Sequence, residues 1–202
     1  MFLSLLKGTD GHILDIGANV GIMTYHLAKA FPTATIHSFE PIPDNFSVLK
    51  RIVSNYGLEN VKTYSLALGS TKETLRMVLP ENGKTKMQGL SHVKHASIPD
   101  WNEGIEFDVE CTTLDALFAD EMIQGIKIDI ENFEYFAFLG GKSLLTKNKP
   151  LIYAELWDNE NRRNCFDLLT EMGYKIFVVC RNELVEFDEH KHQTQNFIFK
   201  SN

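Results

Sequence analysis

The feature that most constrains this chain is a regular alternation of short apolar runs with longer amphipathic ones. HILDIG (12–17) reads as a buried strand, and VGIMTYHLAKAF (20–31) carries apolar residues at helical spacing. ATIHSFE (34–40) is a second strand, followed by a helix in DNFSVLKRIVSNYG (44–57) with Asp44 as N-cap and Gly57 as its stop. VKTYSLALG (61–69) is a third strand, and GIKIDI (125–130) is a fourth that leads into a helical stretch through Leu145. PLIYAE (150–155) is a fifth strand, and a helix over 160–172 is closed by Gly173. YKIFVVC (174–180) and QNFIFK (195–200) finish the chain as two strands joined by a polar, charged connection. Alternation of this kind specifies a mostly parallel sheet with helices on both faces. Two closing strands with no helix between them specify an antiparallel hairpin at one edge.

The rhythm breaks over residues 71–113, an irregular insertion in what otherwise reads as one domain spanning 1–202. There TLRMVLP (74–80) and IEFDVECTTL (105–114) flank the loop PENGKTKMQGLSHVKHASIPDWNEG (80–104). A loop of that length is either a solvated surface segment or a substrate-facing lid. It carries Lys84, Lys86, His92, Lys94 and His95 in a chain whose net charge is −7. That charge excludes a nucleic-acid binder working through a broad basic face. At 202 residues and 44% hydrophobic, the chain can bury one substantial core. Cys111, Cys165 and Cys180 lack metal-ligand spacing and read as reduced thiols, which points to a cytoplasmic protein. MFLSLLKG is short for a signal segment and no run approaches membrane-spanning length, so no span is expected.

The turn Asp15-Ile-Gly-Ala-Asn-Val-Gly21 stands where the first strand meets the first helix. In an open parallel sheet, ligands bind at the carboxyl ends of the strands, near the point where the strand order reverses. Gly17 lets the backbone turn tightly, Gly21 permits close helix packing, and N–H groups at the helix start suit a phosphate or a carboxylate. Glu40 ends the second strand, where a carboxylate can accept bonds from both hydroxyls of a ribose. A dinucleotide fingerprint wants glycine where Asn19 and Ile22 stand. Asn19 obstructs a diphosphate, and Asp15 adds a negative charge that favours an amino group. A ligand with one carboxylate, one ammonium, a sulfonium and an adenosine fits better, namely S-adenosylmethionine.

The stretch GIKIDIENFEY (125–135) places Asp129, Glu131 and Glu134 within six positions. Strand alternation turns Asp129 and Glu131 to one side while Ile128 and Ile130 pack into the core. Glu134 reads as a charge in the first helical turn, favourable at the positive end of the helix dipole. A metal site would need several converging oxygen ligands, which Glu155 could join, but no dedicated spacing exists and no metal is expected. An alcohol acceptor must lose a proton, so a base is needed. His92 and His95 are candidates by their titration range, or are plain exposed loop residues; Asp129 and Glu131 are candidates by position. The candidate catalytic set is Asp129, Glu131 and His92. Phe133, Tyr135 and Phe136 either shape an acceptor wall or belong to the core.

DIGANVG, FEPIPDNFSVLKR (39–51), SLALGS (65–70), CTTLDAL (111–117), KIDIENFE (127–134) and QTQNFIFK, in that order, resemble the FkbM-type methyltransferases over residues 11–200. The resemblance implies a class I, Rossmann-like methyltransferase fold, a seven-stranded sheet with an antiparallel terminal hairpin. It also implies methyl transfer from S-adenosylmethionine, mostly to hydroxyls on sugars, glycolipids or small metabolites. The partner is then a small-molecule or glycan acceptor; oligomeric state stays open. Carried onto this chain, Asp15, Gly17, Asn19 and Gly21 hold the methionine end, and Glu40 binds the ribose. Pro41 and Ile42 lie near the adenine, Ala67 and Leu68 close its pocket, and Asp129 points into the cleft between cofactor and acceptor. Asn132 stands where the family usually has glycine, an added side chain expected to narrow the site. That departure and the short stretch before the first strand motivate a second reading, a catalytically silent cofactor-binding module. A nicotinamide-dependent oxidoreductase is the third.

Overall fold

The computed structural model describes residues 1–6, 8–82, 85–86, 91–95 and 103–201. The chain opens with α1 (Phe2–Leu5), β1 (His12–Ile16), α2 (Ile22–Ala30), β2 (Thr35–Phe39), α3 (Pro43–Asn55) and β3 (Val61–Tyr64). A middle section follows, with β4 (Ala67–Leu68), β5 (Glu73–Asn82), β6 (Thr85–Lys86), β7 (His92–Val93), β8 (Gly104–Thr112) and α4 (Leu114–Leu117). The last section holds β9 (Ile123–Ile128), α5 (Glu134–Leu139), α6 (Lys142–Asn148), β10 (Leu151–Glu155), α7 (Glu160–Glu171), β11 (Tyr174–Cys180), β12 (Glu183–Glu186) and β13 (Asn196–Ser201).

The main sheet runs β12-β11-β13-β10-β9-β1-β2-β3. β1 is buried along nearly its whole length, as a continuous apolar run in a central parallel strand must be. It pairs in parallel with β2 on one side and β9 on the other. The chain winds outward from β1 to β3, then returns and winds the other way from β9. The reversal therefore falls between β1 and β9, which fixes where a ligand can enter. β13 runs antiparallel between β10 and β11, so the closing strand pair is internal, not at an edge. The polar connection before it supplies the edge itself: β12 folds back on β11, adding an eighth strand to the seven expected.

Three other expectations need correction. The third strand divides, because β3 stays in the main sheet while Ala67 and Leu68 leave it to pair with Cys111 and Thr112 of β8. Asp44 is not an N-cap: α3 begins at Pro43, whose fixed φ and missing N–H suit the first helical position, with Ile42 before it. Asp44 sits in the first turn instead. The helix after β9 breaks into α5 and α6 at Gly140 and Gly141.

The insertion is a second sheet, ordered β4-β8-β5-β6, with β7 also paired to β5. Met77 and Val78 pair with Val93 and His92, so the described end of the long loop is strand. Lys84 and most of that loop lie outside the described residues, and so does the choice between lid and surface segment. Three buried clusters hold the layers together. One joins the main sheet to α4–α7, and a second joins it to α1 and α2 through Phe2, Leu6, Ile13, Leu27 and Phe31. The third packs the second sheet's Met77, Val93, Val109 and Cys111 against Ile42 and Phe133.

The two sheets meet at the break between α5 and α6. A Cβ on Gly140 would stand 2.0 Å from the carbonyl oxygen of Gly69, just past β4, and 3.1 Å from Thr113 Cβ. Gly140→Ala should thus force backbone apart and cost about 1–3 kcal/mol, read as a lower urea midpoint with an unchanged slope.

Candidate active site

A pocket opens above the carboxyl ends of β1, β2 and β9, where the strand order reverses. Gly17, Asn19, Glu40, Pro41, Ala67, Leu68, Asp129 and Glu131 all line it. Asp15, Gly21, Ile42 and His92 do not line it, and each absence has a physical reason.

Asp15 is fully buried under the turn. Its Oδ2 accepts from Thr24 Oγ1 at 2.6 Å, and its Oδ1 lies 3.6 Å from Lys127 Nζ. It supports the turn from beneath. Gly21 takes a left-handed conformation (φ 92°) at the start of α2 and packs against Leu49 of α3. Ile42 is core, although its N–H donates to Glu40 Oε1 at 2.8 Å. His92 is 1% exposed, and its neighbours Ser91 and Val93 are the residues that face the pocket. Alternation along β7 turns its imidazole the opposite way, so the expected base role has no geometric support. His95 is exposed, with its ring 4.7 Å from that of Phe136.

The turn itself departs from expectation. The N–H groups of Gly17 and Ala18 donate to Phe39 O at 3.1 and 2.9 Å, and that of Gly21 donates to Ala18 O at 2.8 Å. Asn19, at φ 50°, donates its N–H to Glu40 Oε2 at 2.9 Å. All four amides are satisfied internally, so none is left to grip a phosphate or a carboxylate. Gly17 must be glycine: at φ 76°, a Cβ there would stand 1.9 Å from Asp129 O.

Glu40 is 5% exposed, and burial raises its carboxyl above the ordinary range. Three hydrogen bonds oppose that rise, from the N–H groups of Ile42 and Asn19 and from the Asn45 side chain, as does the charge of Lys127. Asn45, Met77, Ser91 and Val93 also line the pocket and are new to the site, and Phe133 of the expected aromatics lines it too. Phe133 stacks on Phe136, with ring centroids 4.6 Å apart, while lying in the third cluster, so it is wall and core together.

The carboxylates divide differently from strand alternation. β9 ends at Ile128, and Glu131 and Asn132 both take positive φ (54° and 74°). Such strained pairs persist where surroundings hold them. Here Glu134 Oε1 accepts from Ile130 N–H at 2.8 Å, and Asn161 Nδ2 donates to Asn132 O at 2.9 Å. Glu134 stands in the first turn of α5, as expected, but it is buried there and fastens this loop. Asn132 does not narrow the pocket, because its Oδ1 accepts from Asn159 Nδ2 at 2.9 Å, at the start of α7. Ile130 lines the pocket besides packing on the core. Burial pushes the Glu131 carboxyl up to about 8, with Asp129, Glu134 and Glu155 adding repulsion. Glu134 is pushed up to about 7, again chiefly by burial. No group of three or more metal-ligating side chains converges among the described residues.

With this geometry in place, comparison with known proteins is informative. A family model described as the Methyltransferase FkbM domain matches residues 15–176. Methyltransferase 1 of Beauveria bassiana (strain ARSEF 2860) is 31% identical over 68 residues, a match spanning 34% of this chain and 27% of that protein. Methyltransferase sdnD of Sordaria araneosa is 24% identical over 190 residues, 81% of this chain and 73% of that one. The solved structure of methyltransferase FkbM from Methylobacillus flagellatus KT shares the fold at a TM-score of 0.64 and 14% identity. That match covers 98% of this chain but 45% of the solved one, so the chain spans under half the length of that relative.

The raised carboxyls make stability depend on pH. Glu131 and Glu134 hold protons more tightly folded than unfolded, so their contribution is complete below about pH 4.5 and is lost as pH rises toward 8. Urea midpoints should therefore show Glu131→Gln flattening the decline between pH 5 and 8, by on the order of 1 kcal/mol relative to wild type.

Proposed function

The chain belongs to the FkbM methyltransferase family, and from that premise we propose that it transfers a methyl group from S-adenosylmethionine to a hydroxyl on a sugar, glycolipid or small metabolite. The observation that carries the choice of cofactor is the internal pairing of the amides of Gly17, Ala18, Asn19 and Gly21. A dinucleotide needs such amides, and the positive helix end, for its diphosphate. This turn offers none of these four, which argues against a nicotinamide cofactor. S-adenosylmethionine has no diphosphate to seat, and its nucleoside half calls for a carboxylate at the ribose and an apolar slot for the base. Beyond its bonds to Asn19, Ile42 and Asn45, Glu40 keeps acceptor capacity for a ribose hydroxyl. Ala67, Leu68, Met77 and Phe133 supply the apolar slot.

The bound cofactor supplies an activated methyl on a sulfonium. What remains for the protein is to align the acceptor and to take its proton. Asp129 and Glu131 line the pocket together with Glu40 and fit those two tasks. Asp129 can accept the acceptor's hydroxyl hydrogen bond and orient the oxygen. Glu131, whose proton affinity lies near neutrality, suits the base, since a base works best with a pKa near the working pH. No helix among the described residues is long and apolar enough to cross a membrane. We place the reaction in the cytoplasm, in keeping with Cys111, Cys165 and Cys180 being free thiols.

Calorimetry with S-adenosylhomocysteine tests the reading directly. Wild type should bind, and Glu40→Ala should weaken binding about tenfold or more, as loss of hydrogen bonds to a charged group does. Equal affinity in the variant would remove Glu40 from the site. Release of S-adenosylhomocysteine with a panel of hydroxylated acceptors separates an active enzyme from a silent binding module.

A further inference from the structure

Lys127 is a buried cation, 6% exposed, in a part of the sheet where an apolar residue would serve for packing. It sits on β9, in register with Asp15 of β1 and Tyr153 of β10. The neighbouring core on that face is apolar, built from Phe2, Leu6, Ile13 and Leu27. Burying an ammonium costs free energy, and a buried ion pair is often no more stabilising than apolar side chains of similar volume. Packing alone therefore does not explain a lysine at this position.

Its contacts do. Lys127 Nζ donates to Gly17 O at 2.8 Å and lies 3.5 Å from Ile16 O. It also stands 3.6 Å from Asp15 Oδ1 and 3.8 Å from Asp129 Oδ2. Three of the four partners belong to the end of β1 and the turn after it, and the fourth to the segment just past β9, two neighbouring segments that both line the pocket. Its charge also offsets the effect of burial on Glu40 and on Glu155.

We infer that Lys127 is a positioning residue: its ammonium clamps the turn after β1 to the end of β9, and so locks the Gly17–Asn19 side of the pocket lining onto the adjoining Asp129–Glu131 side just beyond the strand ladder. The inference rests on the cofactor reading above and adds to it the residue that holds the two walls in register. Lys127 acts through Gly17, Asp15 and Asp129, and it does not itself line the pocket.

The test separates positioning from bulk stability. Lys127→Met alone leaves Asp15 buried without a cation and can unfold the chain, so the informative variant is Lys127→Met combined with Asp15→Asn. That pair removes both charges, while Asn at 15 still accepts from Thr24. Thermal melting and S-adenosylhomocysteine calorimetry are run on wild type, Asp15→Asn and the double variant. The double variant should melt close to wild type yet bind S-adenosylhomocysteine about tenfold or more weakly, a change of about 1.4 kcal/mol. Asp15→Asn alone should lose less. A double variant that melts normally and binds like wild type overturns the inference, as does a loss no larger than that of Asp15→Asn alone. A double variant that fails to fold also overturns it, since Lys127 would then be structural. Wild type that ignores S-adenosylhomocysteine overturns the cofactor reading together with the inference, an outcome distinct from the others.

Discussion

The approach of two backbones, at Gly17 and at Asp129, is the constraint on which the site depends. Asp129 N–H donates to Ile16 O at 3.1 Å, continuing the β1–β9 ladder one step past the end of β9. Directly beyond it, the turn folds so tightly over Asp129 O that no side chain can stand at position 17. Strand pairing thereby brings the cofactor turn and the acidic loop together, and both pocket walls inherit their placement from one hydrogen-bond ladder. The remaining features adapt to that junction. Asp15 braces it from beneath, and Glu134 holds the loop that follows.

A second principle is that backbone donors near the pocket are spent on the protein itself. Phe39 O takes two amides of the turn, and Glu40 takes one from the turn and one from the segment just before α3. Such closure makes the turn rigid without a ligand, since buried donors left unpaired would be costly. It also shifts recognition from backbone to side chains. The pocket offers a ligand carboxylates and apolar surface, a character opposite to that of a phosphate cradle.

The main sheet was legible in the sequence because its strands are continuous apolar runs and its helices are periodic. The existence of β1, β2, β9, β10, β11 and β13 follows from that pattern, and the turn glycines and Glu40 stand at the strand ends it marks. What escaped was set by contacts distant in sequence. Ala67 and Leu68 look continuous with β3, yet they pair with residues more than forty positions later. Met77, Ser91 and Val93 reach the pocket through a sheet whose pairing no local periodicity reveals. His92 was favoured by its chemistry, whereas strand alternation, invisible until β7 was seen, turns it inward. Lys127 is the opposite case: a cation inside the otherwise apolar run GIKI was a signal, and its meaning needed the register with β1. Asn132 could be read only from its partner Asn159 on the far side of β10.

The second sheet also bears on how such a chain can diversify. Its strands hydrogen-bond among themselves, and β4 and β8 tie it to the rest of the chain at their ends. Substitutions on β5 or β7 can therefore remodel one flank of the cavity without disturbing the ladder that supports the opposite flank. The shape of one flank can thus change through one module while the turn and the acidic loop keep their places.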